Sequence, residues 1–325
     1  MLTPEALREW VEGSGVDEAI VRLNVESLTG QAPYERLFYS DQIKRLNTGR
    51  LPSGLLKKYA HIELGGWSAS GIDPLTGEDE LWGCFKPDHP RIDATKGKHQ
   101  KYEHPLKAPS TLFALRVPLH TWEMISKRYS VPMPDNVVVD AEGEASGFWK
   151  WVIANPRVSI VPTEGAKKAG AVLSQGFAAI GFPGIWGGYR KNEGKPCLLP
   201  QLEAFAQEGR HFYFAFDQDE KRKTRRANRK ALWCTAKLLL EKGCRVSIIT
   251  WEPWIKGCDD LIVAKGKEHF IACYEKAIAF EDWQAERLSE LNYKPALRLD
   301  SASKYIGSFA PPPKRQDYRH QSAER

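Results

Sequence analysis

Two apolar runs in the second half of the chain each stop at an acid. Val158-Ser159-Ile160-Val161-Pro162-Thr163 runs into Glu164-Gly165, and Phe212-Tyr213-Phe214-Ala215-Phe216 runs into Asp217-Gln218-Asp219. Such a run reads as a buried strand of a parallel sheet that delivers its acid to the C-terminal edge, where α/β proteins place their ligands. Carboxylates gathered at one edge repel one another unless a cation lies between them. The pattern therefore predicts a magnesium site, in which a few carboxylates leave the rest of the octahedron to water and substrate phosphate.

The segments around these runs agree with that architecture. From residue 157 the expected order is strand (158–162), helix (166–175), strand (177–180), loop, strand (211–216), helix (224–242), strand (245–250) and helix (258–280). Strands alternating with helices imply a parallel sheet with right-handed crossovers. Upstream, residues 3–47 place apolar positions at helical spacing and read as two or three short helices. Residues 59–118 read as strand pieces, Tyr59 to Leu64, Leu81 to Phe85 and Leu112 to Val117, between turns bearing Gly and Pro. A helix over 119–129 then leads into the turn-rich Val131-Pro132-Met133-Pro134-Asp135. The expected division is a helical segment over 1–50, a smaller α+β domain over 51–154, an α/β domain over 155–300, and a polar linker or tail over 301–325.

Charge is unevenly placed along the 325 residues. Residues 1–150 hold 18 Lys and Arg against 21 Asp and Glu, net −3, and residues 151–325 hold 29 against 20, net +9. A basic half surrounding a small acidic centre suits a polyanion gripped by lysines and arginines while a divalent ion works on one phosphate. The six cysteines form no C-x-x-C pair, which argues against a zinc ribbon and for free thiols in a reducing compartment. No apolar run approaches the roughly 20 residues of a membrane span, and the start is unlike a signal peptide, so a cytoplasmic protein without a membrane partner is expected.

Each candidate residue has a functional and a structural role open to it. Glu164 suits a metal ligand or general base, and also a cap in a strand-to-helix turn; Gly165 lets backbone or phosphate approach. In an extended D-x-D, Asp217 and Asp219 project from one face near the spacing that Mg²⁺ (or Mn²⁺) requires. Asp259 and Asp260 form a third acidic turn, as metal ligands or as helix-capping acids. The run Lys221-Arg222-Lys223-Thr224-Arg225-Arg226-Ala227-Asn228-Arg229-Lys230 holds seven basic residues in ten. It is a solvated face, or a hold on a nucleic-acid backbone or triphosphate. Trp186 and Tyr189 follow the second strand and could stack a base or anchor their loop. No G-x-x-x-x-G-K-[ST] occurs in the chain, which leaves it without a P-loop motor.

Glu164-Gly165 after the first strand, D-x-D after the third and the Asp259-Asp260 turn together resemble the Toprim domain of bacterial-type primases, topoisomerases and certain nucleases, over roughly residues 155–280. Gly97-Lys98-His99-Gln100-Lys101-Tyr102-Glu103-His104-Pro105 is similar to a segment of the bacterial primase core. The run from Gly65-Gly66-Trp67 through Trp82-Gly83-Cys84-Phe85-Lys86-Pro87-Asp88 and Pro90-Arg91, with Thr163 to Ala169, resembles primase-like replication proteins of cyanobacterial plasmids and mobile elements. The resemblance implies a Toprim domain with a central parallel sheet flanked by helices, preceded by a smaller α+β domain. It implies a primase-type nucleotidyltransferase, with single-stranded DNA template, nucleoside triphosphates and a replicative helicase in cis or trans as partners. Glu164, Asp217 and Asp219 would be catalytic and would bind Mg²⁺ or Mn²⁺, assisted by Asp259 and Asp260. Lys86, Arg91, Lys98, Lys101, Lys167, Lys168, Lys221, Arg222, Arg225 and Arg226 would hold nucleic acid or nucleotide. Three features depart from that pattern: Lys167-Lys168 stand where an acid is common, Gln218 stands where glycine is common, and the zinc module that selects template is missing. A Toprim nuclease, or an inactive module that recruits a helicase to DNA, are the competing expectations.

Overall fold

The computed structural model describes residues 2–292 apart from Ala94, Lys96, Asp219 and Glu220, with the side chains of Arg222 and residues 287–292 also left aside. Its elements in order are α1 (Pro4–Ser14), α2 (Glu18–Asn24), β1 (Val25–Leu28), α3 (Ala32–Leu37), α4 (Ser53–Tyr59), β2 (Gly66–Ala69), β3 (Cys84–Pro87), β4 (Ile92–Asp93), β5 (Lys98–His99), α5 (Leu119–Tyr129) and α6 (Phe148–Ala154). They continue with β6 (Ile160–Glu164), α7 (Ala166–Leu173), β7 (Ala178–Phe182), β8 (Tyr189–Asn192), β9 (Lys195–Leu198), α8 (Pro200–Phe205), β10 (His211–Phe214), α9 (Arg222–Glu241), β11 (Arg245–Ile248), α10 (Cys258–Lys265), α11 (Lys267–Glu275), β12 (Ile278–Ala279) and α12 (Phe280–Asn292). Among the described residues, those up to 280 form one compact unit and the body of α12 belongs to a second.

The central sheet has the order β12-β11-β10-β6-β7. Strands β11, β10, β6 and β7 run parallel, and β12 closes one edge antiparallel to β11. From β6 the chain moves to one side to form β7, then returns to the other side of β6 to form β10. The crevice between β6 and β10 is therefore the point at which strand order reverses, the usual ligand position in an open α/β sheet. The consecutive Ile160 and Val161 of β6 are fully buried, the two-sided burial expected of a parallel strand under helices, whereas β10 buries Phe212 and Phe214 fully on one face and leaves His211 and Tyr213 half-buried on the other. Pro162 has no N–H to give, and the β6–β10 ladder is interrupted there: Phe212 pairs with Ile160 before it and Thr163 bridges Ala215 after it.

The half of the chain before residue 155 is built onto this sheet. Strands β1, β2 and β3 form an antiparallel three-stranded sheet. Beside it Tyr34, Phe38, Tyr59, Ile62 and Phe85 make a buried cluster. Phe113 exchanges backbone hydrogen bonds of 2.7 and 2.9 Å with Gly181 of β7, so this half reaches the open edge of the parallel sheet. A Cβ at Gly181 would lie 2.5 Å from the carbonyl oxygen of Gly165. Only glycine lets the strand pass so close to the turn that carries Glu164.

Helix α1 is the second connection. Trp10 is fully buried and meets Trp67 edge to face at 5.2 Å. Glu9 accepts hydrogen bonds from Lys86 Nζ at 2.6 Å, Trp67 Nε1 at 2.9 Å and Lys167 Nζ at 3.0 Å. One carboxylate thus joins α1, the antiparallel sheet and α7.

Several expectations are revised. Tyr59 to Leu64 is helical, ending α4 and forming a 3-10 turn, and the strand begins at Gly66 because Gly65 and Gly66 adopt backbone angles closed to other residues. Val25–Leu28 is a strand within the stretch read as helical. The helix expected over 258–280 is two helices separated at Gly266, whose φ of 84° ends the first. Of Leu112 to Val117, only Phe113 makes a β-bridge, an isolated one to Gly181. The 301–325 tail lies outside the described residues.

Burial raises the Glu9 pKa, but hydrogen bonds from Lys86, Trp67 and Lys167 outweigh it and bring it down to about 2. A carboxylate with a depressed folded-state pKa adds stability that is full above its ordinary value near 4.5 and is lost as pH falls towards 2. Glu9→Gln is expected to cost about 2 kcal/mol at pH 7, after allowance for partial exposure. In urea unfolding curves, the gap between parent and variant should narrow as pH is lowered from 4.5 towards 2.

Candidate active site at the strand-order reversal

Glu164 is the last residue of β6, and Asp217 lies three residues beyond the end of β10. The register that pairs Thr163 with Ala215 sets Glu164 level with Phe216, one step before Asp217. Gly165 has φ 85° and ψ 166°, and nothing lies within 4 Å of where a Cβ would project, so the turn that opens α7 is left clear. Asp219 falls outside the described residues.

Asp217 is held from several directions. Its side chain is 9% exposed; Lys168 Nζ stands 3.2 Å from Oδ1 and Lys256 Nζ 3.5 Å from Oδ2. The Lys168 contact is ionic rather than a well-aligned hydrogen bond, since Oδ1 is buried without a hydrogen-bond donor among the described residues. Asn228 Nδ2 of α9 donates to the Asp217 carbonyl oxygen at 3.2 Å, and Gln218 N–H donates to the Lys256 carbonyl at 2.8 Å. The loop after β10, the loop after β11 and the start of α9 are tied together at this residue.

The third acidic turn separates into two roles. Gly257 is the N-cap of α10, and its N–H donates to Asp260 Oδ2 at 2.9 Å, so exposed Asp260 caps the helix. Asp259 is buried and faces inward. Ser14 at the end of α1 donates to its Oδ2 at 3.2 Å, whereas its Oδ1 has no hydrogen-bond donor among the described residues. A Cβ on Gly257 would stand 2.2 Å from that Oδ1 and 2.7 Å from Lys168 Cε, which shows how tightly the lysine stem is packed against this turn.

Lys168 is therefore central. Burial lowers its pKa, but Asp217, Asp259, Cys258 and Glu164 outweigh that effect and hold the ammonium above the ordinary lysine value. Carboxylates from three separate turns act on this one cation. Tyr102 is near the same group; burial pushes its phenol up to about 12, with Cys84 and Glu9 adding to the effect.

The other basic candidates divide by environment. Lys86 and Lys167 are paired with Glu9. Arg91 makes a two-pronged contact of 2.6 and 3.0 Å with buried Glu103 and lies over the Tyr59 ring at 5.1 Å. These three charges are directed at the protein itself. Lys98, Lys101, Lys221, Arg225 and Arg226 are solvent-exposed, and the Arg222 side chain is outside the described set. Helix α9 buries Ala231, Leu232, Ala236 and Leu239 further along, so its basic first turns project beside the Asp217 loop.

Lys256, Asn228, Ser14 and Glu9 belong to this arrangement and escaped sequence reasoning. Lys256 adjoins the acidic turn, a local signal. Ser14 is 245 residues from Asp259 and carries no local signal.

The donor set fits a cation in one respect: Asp217 Oδ1 and Asp259 Oδ1 are buried oxygens lacking hydrogen-bond donors. No three His, Cys, Asp or Glu side chains among the described residues come together as a ready-made metal cluster. No described helix is long and apolar enough to cross a membrane.

Residues 148–269 match a family model described as "Domain of unknown function (DUF3854)". A protein of Picosynechococcus sp., named as uncharacterized, is 46% identical over 302 residues, covering 90% of this chain. The chain spans 29% of that relative's length. Among solved structures, similarity is found to the zinc-binding and RNA polymerase domains of the Aquifex aeolicus primase, with TM-score 0.47, 14% identity, and 89% of this chain and 60% of that one covered. A DNA primase domain from Pseudomonas aeruginosa gives TM-score 0.47 and 15% identity, covering 90% of this chain and 78% of that one. The RNA polymerase domain of Mycobacterium tuberculosis primase DnaG gives 0.48 and 12%, covering 90% and 85%. At these TM-scores the likeness is too loose to carry an assignment.

Because Asp260 is engaged with the backbone of its own turn, Asp260→Ala is expected to cost about 1 kcal/mol of stability in urea unfolding. Any Mn²⁺ binding that depends on Asp217 should persist in that variant.

Proposed function

We propose that this chain is a primase-like module of Toprim type: a metal-dependent nucleotidyltransferase that joins nucleotides on single-stranded DNA in plasmid or mobile-element replication. The observation that carries the reading is that Glu164 ends β6 and Asp217 follows the end of the adjacent parallel β10, at the C-terminal edge where strand order reverses. Support also comes from the exposed basic start of α9 next to the Asp217 loop, which suits a phosphate backbone.

In this reading Glu164, Asp217 and Asp219 hold Mg²⁺ or Mn²⁺, and Asp259 adds negative charge behind them. The bound ion supplies charge neutralisation of a triphosphate and activation of a 3′-hydroxyl. The protein's own groups do the positioning. Asn228 and the Gln218–Lys256 backbone pair fix the Asp217 loop, and Gly165 leaves the approach to Glu164 open. Lys221, Arg225 and Arg226 grip backbone phosphates, while Lys98 and Lys101 offer charge from the other half of the chain. A helicase in cis or trans is the partner such a module serves.

One observation favours a second reading. Lys168 and Lys256 contact Asp217, one at each oxygen, an arrangement that suits a non-catalytic DNA-binding module in which lysines occupy the carboxylate.

Purified protein with single-stranded DNA, labelled ribonucleotides and Mg²⁺ or Mn²⁺ separates the readings, with Asp217→Ala as control. New short RNA that falls at least about 100-fold in the variant supports synthesis. Shortened DNA identifies a nuclease. DNA binding without product, unchanged by the substitution, identifies the recruiter and defeats the proposal.

A further inference from the structure

We propose that the Lys168 ammonium is a resident cation of the acidic centre, which neutralises Asp217 in place of a divalent ion and must be displaced from it before a metal can bind there. The inference rests on the metal-site reading above and concerns what limits that site.

The argument is geometric. Lys168 lies on the first turn of α7, four residues after Glu164, and its side chain returns towards the strand ends. Its Nζ is 3.2 Å from Asp217 Oδ1, and that side chain is only 19% exposed. Its Cε lies against the third acidic turn, 2.7 Å from where a Cβ on Gly257 would project. A metal on Asp217 Oδ1 would occupy the space the ammonium now fills, because two cations at one buried oxygen repel strongly. Lys256 differs: its side chain is 66% exposed, its contact is 3.5 Å, and it can swing into solvent. The lysine offsets the charge of a buried carboxylate, which is strongly destabilising when uncompensated.

Mn²⁺ titration calorimetry on the full chain, with Lys168→Met, Lys168→Arg and Asp217→Asn variants, tests this. Lys168→Met is expected to bind Mn²⁺ at least about tenfold more tightly than the parent, and Lys168→Arg to stay near the parent. Adding Asp217→Asn to Lys168→Met should abolish the gain. Equal or weaker binding by Lys168→Met overturns the proposal. If Asp217→Asn leaves parental Mn²⁺ binding unchanged, the metal-site reading itself fails. If Asp217→Asn abolishes binding while Lys168→Met brings no gain, only the competition fails. Melting temperatures supply a readout independent of affinity. Lys168→Met should melt below the parent in EDTA and recover with Mn²⁺. Identical melting with and without Mn²⁺ counts against the displacement.

Discussion

Buried negative charge has to be compensated, and at the reversal of strand order the compensation comes from Lys168. Asp217 and Asp259 are almost wholly withdrawn from water, each with an oxygen that lacks a hydrogen-bond donor among the described residues. Glu164 adds a third carboxylate whose field reaches the same ammonium. Because α7 begins directly after β6, the helix that covers the sheet also delivers the cation to its edge. The βα turn thus contributes a carboxylate and its counter-charge from five consecutive residues.

The surrounding contacts make this centre depend on distant segments. Ser14 reaches Asp259 from the end of α1, and Glu9 on the same helix clamps Lys167, next to Lys168 on α7. Glu9 also takes Lys86 and Trp67, and Phe113 joins the edge of β7 through backbone hydrogen bonds. Residues before 155 therefore support the strand ends rather than forming an independent appendage, in keeping with the single compact unit up to residue 280. Substitutions on α1 would be felt at the acidic edge through these hydrogen bonds.

The parallel strands were legible because each is a short, mostly apolar run between helical segments. Helix 119–129 was legible from its periodicity and emerges as α5 with the same ends. The misreadings occur where local pattern is weak. Tyr59 to Leu64 alternates apolar and polar residues like a strand, yet it packs Tyr59 and Ile62 into the small cluster as consecutive helical turns. The β8–β9 hairpin and the edge strand β12 were missed, both being short and mostly polar or half-buried. The placing of Glu164 and Asp217 at or just beyond strand ends was legible, because an apolar run fixes where the residues after it emerge. Their counter-charges were not, since pairs such as Glu9 with Lys86 or Arg91 with Glu103 are set by tertiary packing. A lysine destined for a carboxylate reads the same as one destined for a phosphate.

The central claim is that Glu164 and Asp217 form one cation-binding centre in which Lys168 is the resident charge. The most direct measurement is the anomalous scattering of Mn²⁺ in crystals of the parent protein and of Lys168→Met. The account predicts a peak between Glu164 and Asp217 that is strong in the variant and, in the parent, appears only with the ammonium moved off Asp217. A peak between those carboxylates with Lys168 still in contact with Asp217, or no peak there in either protein, would contradict it.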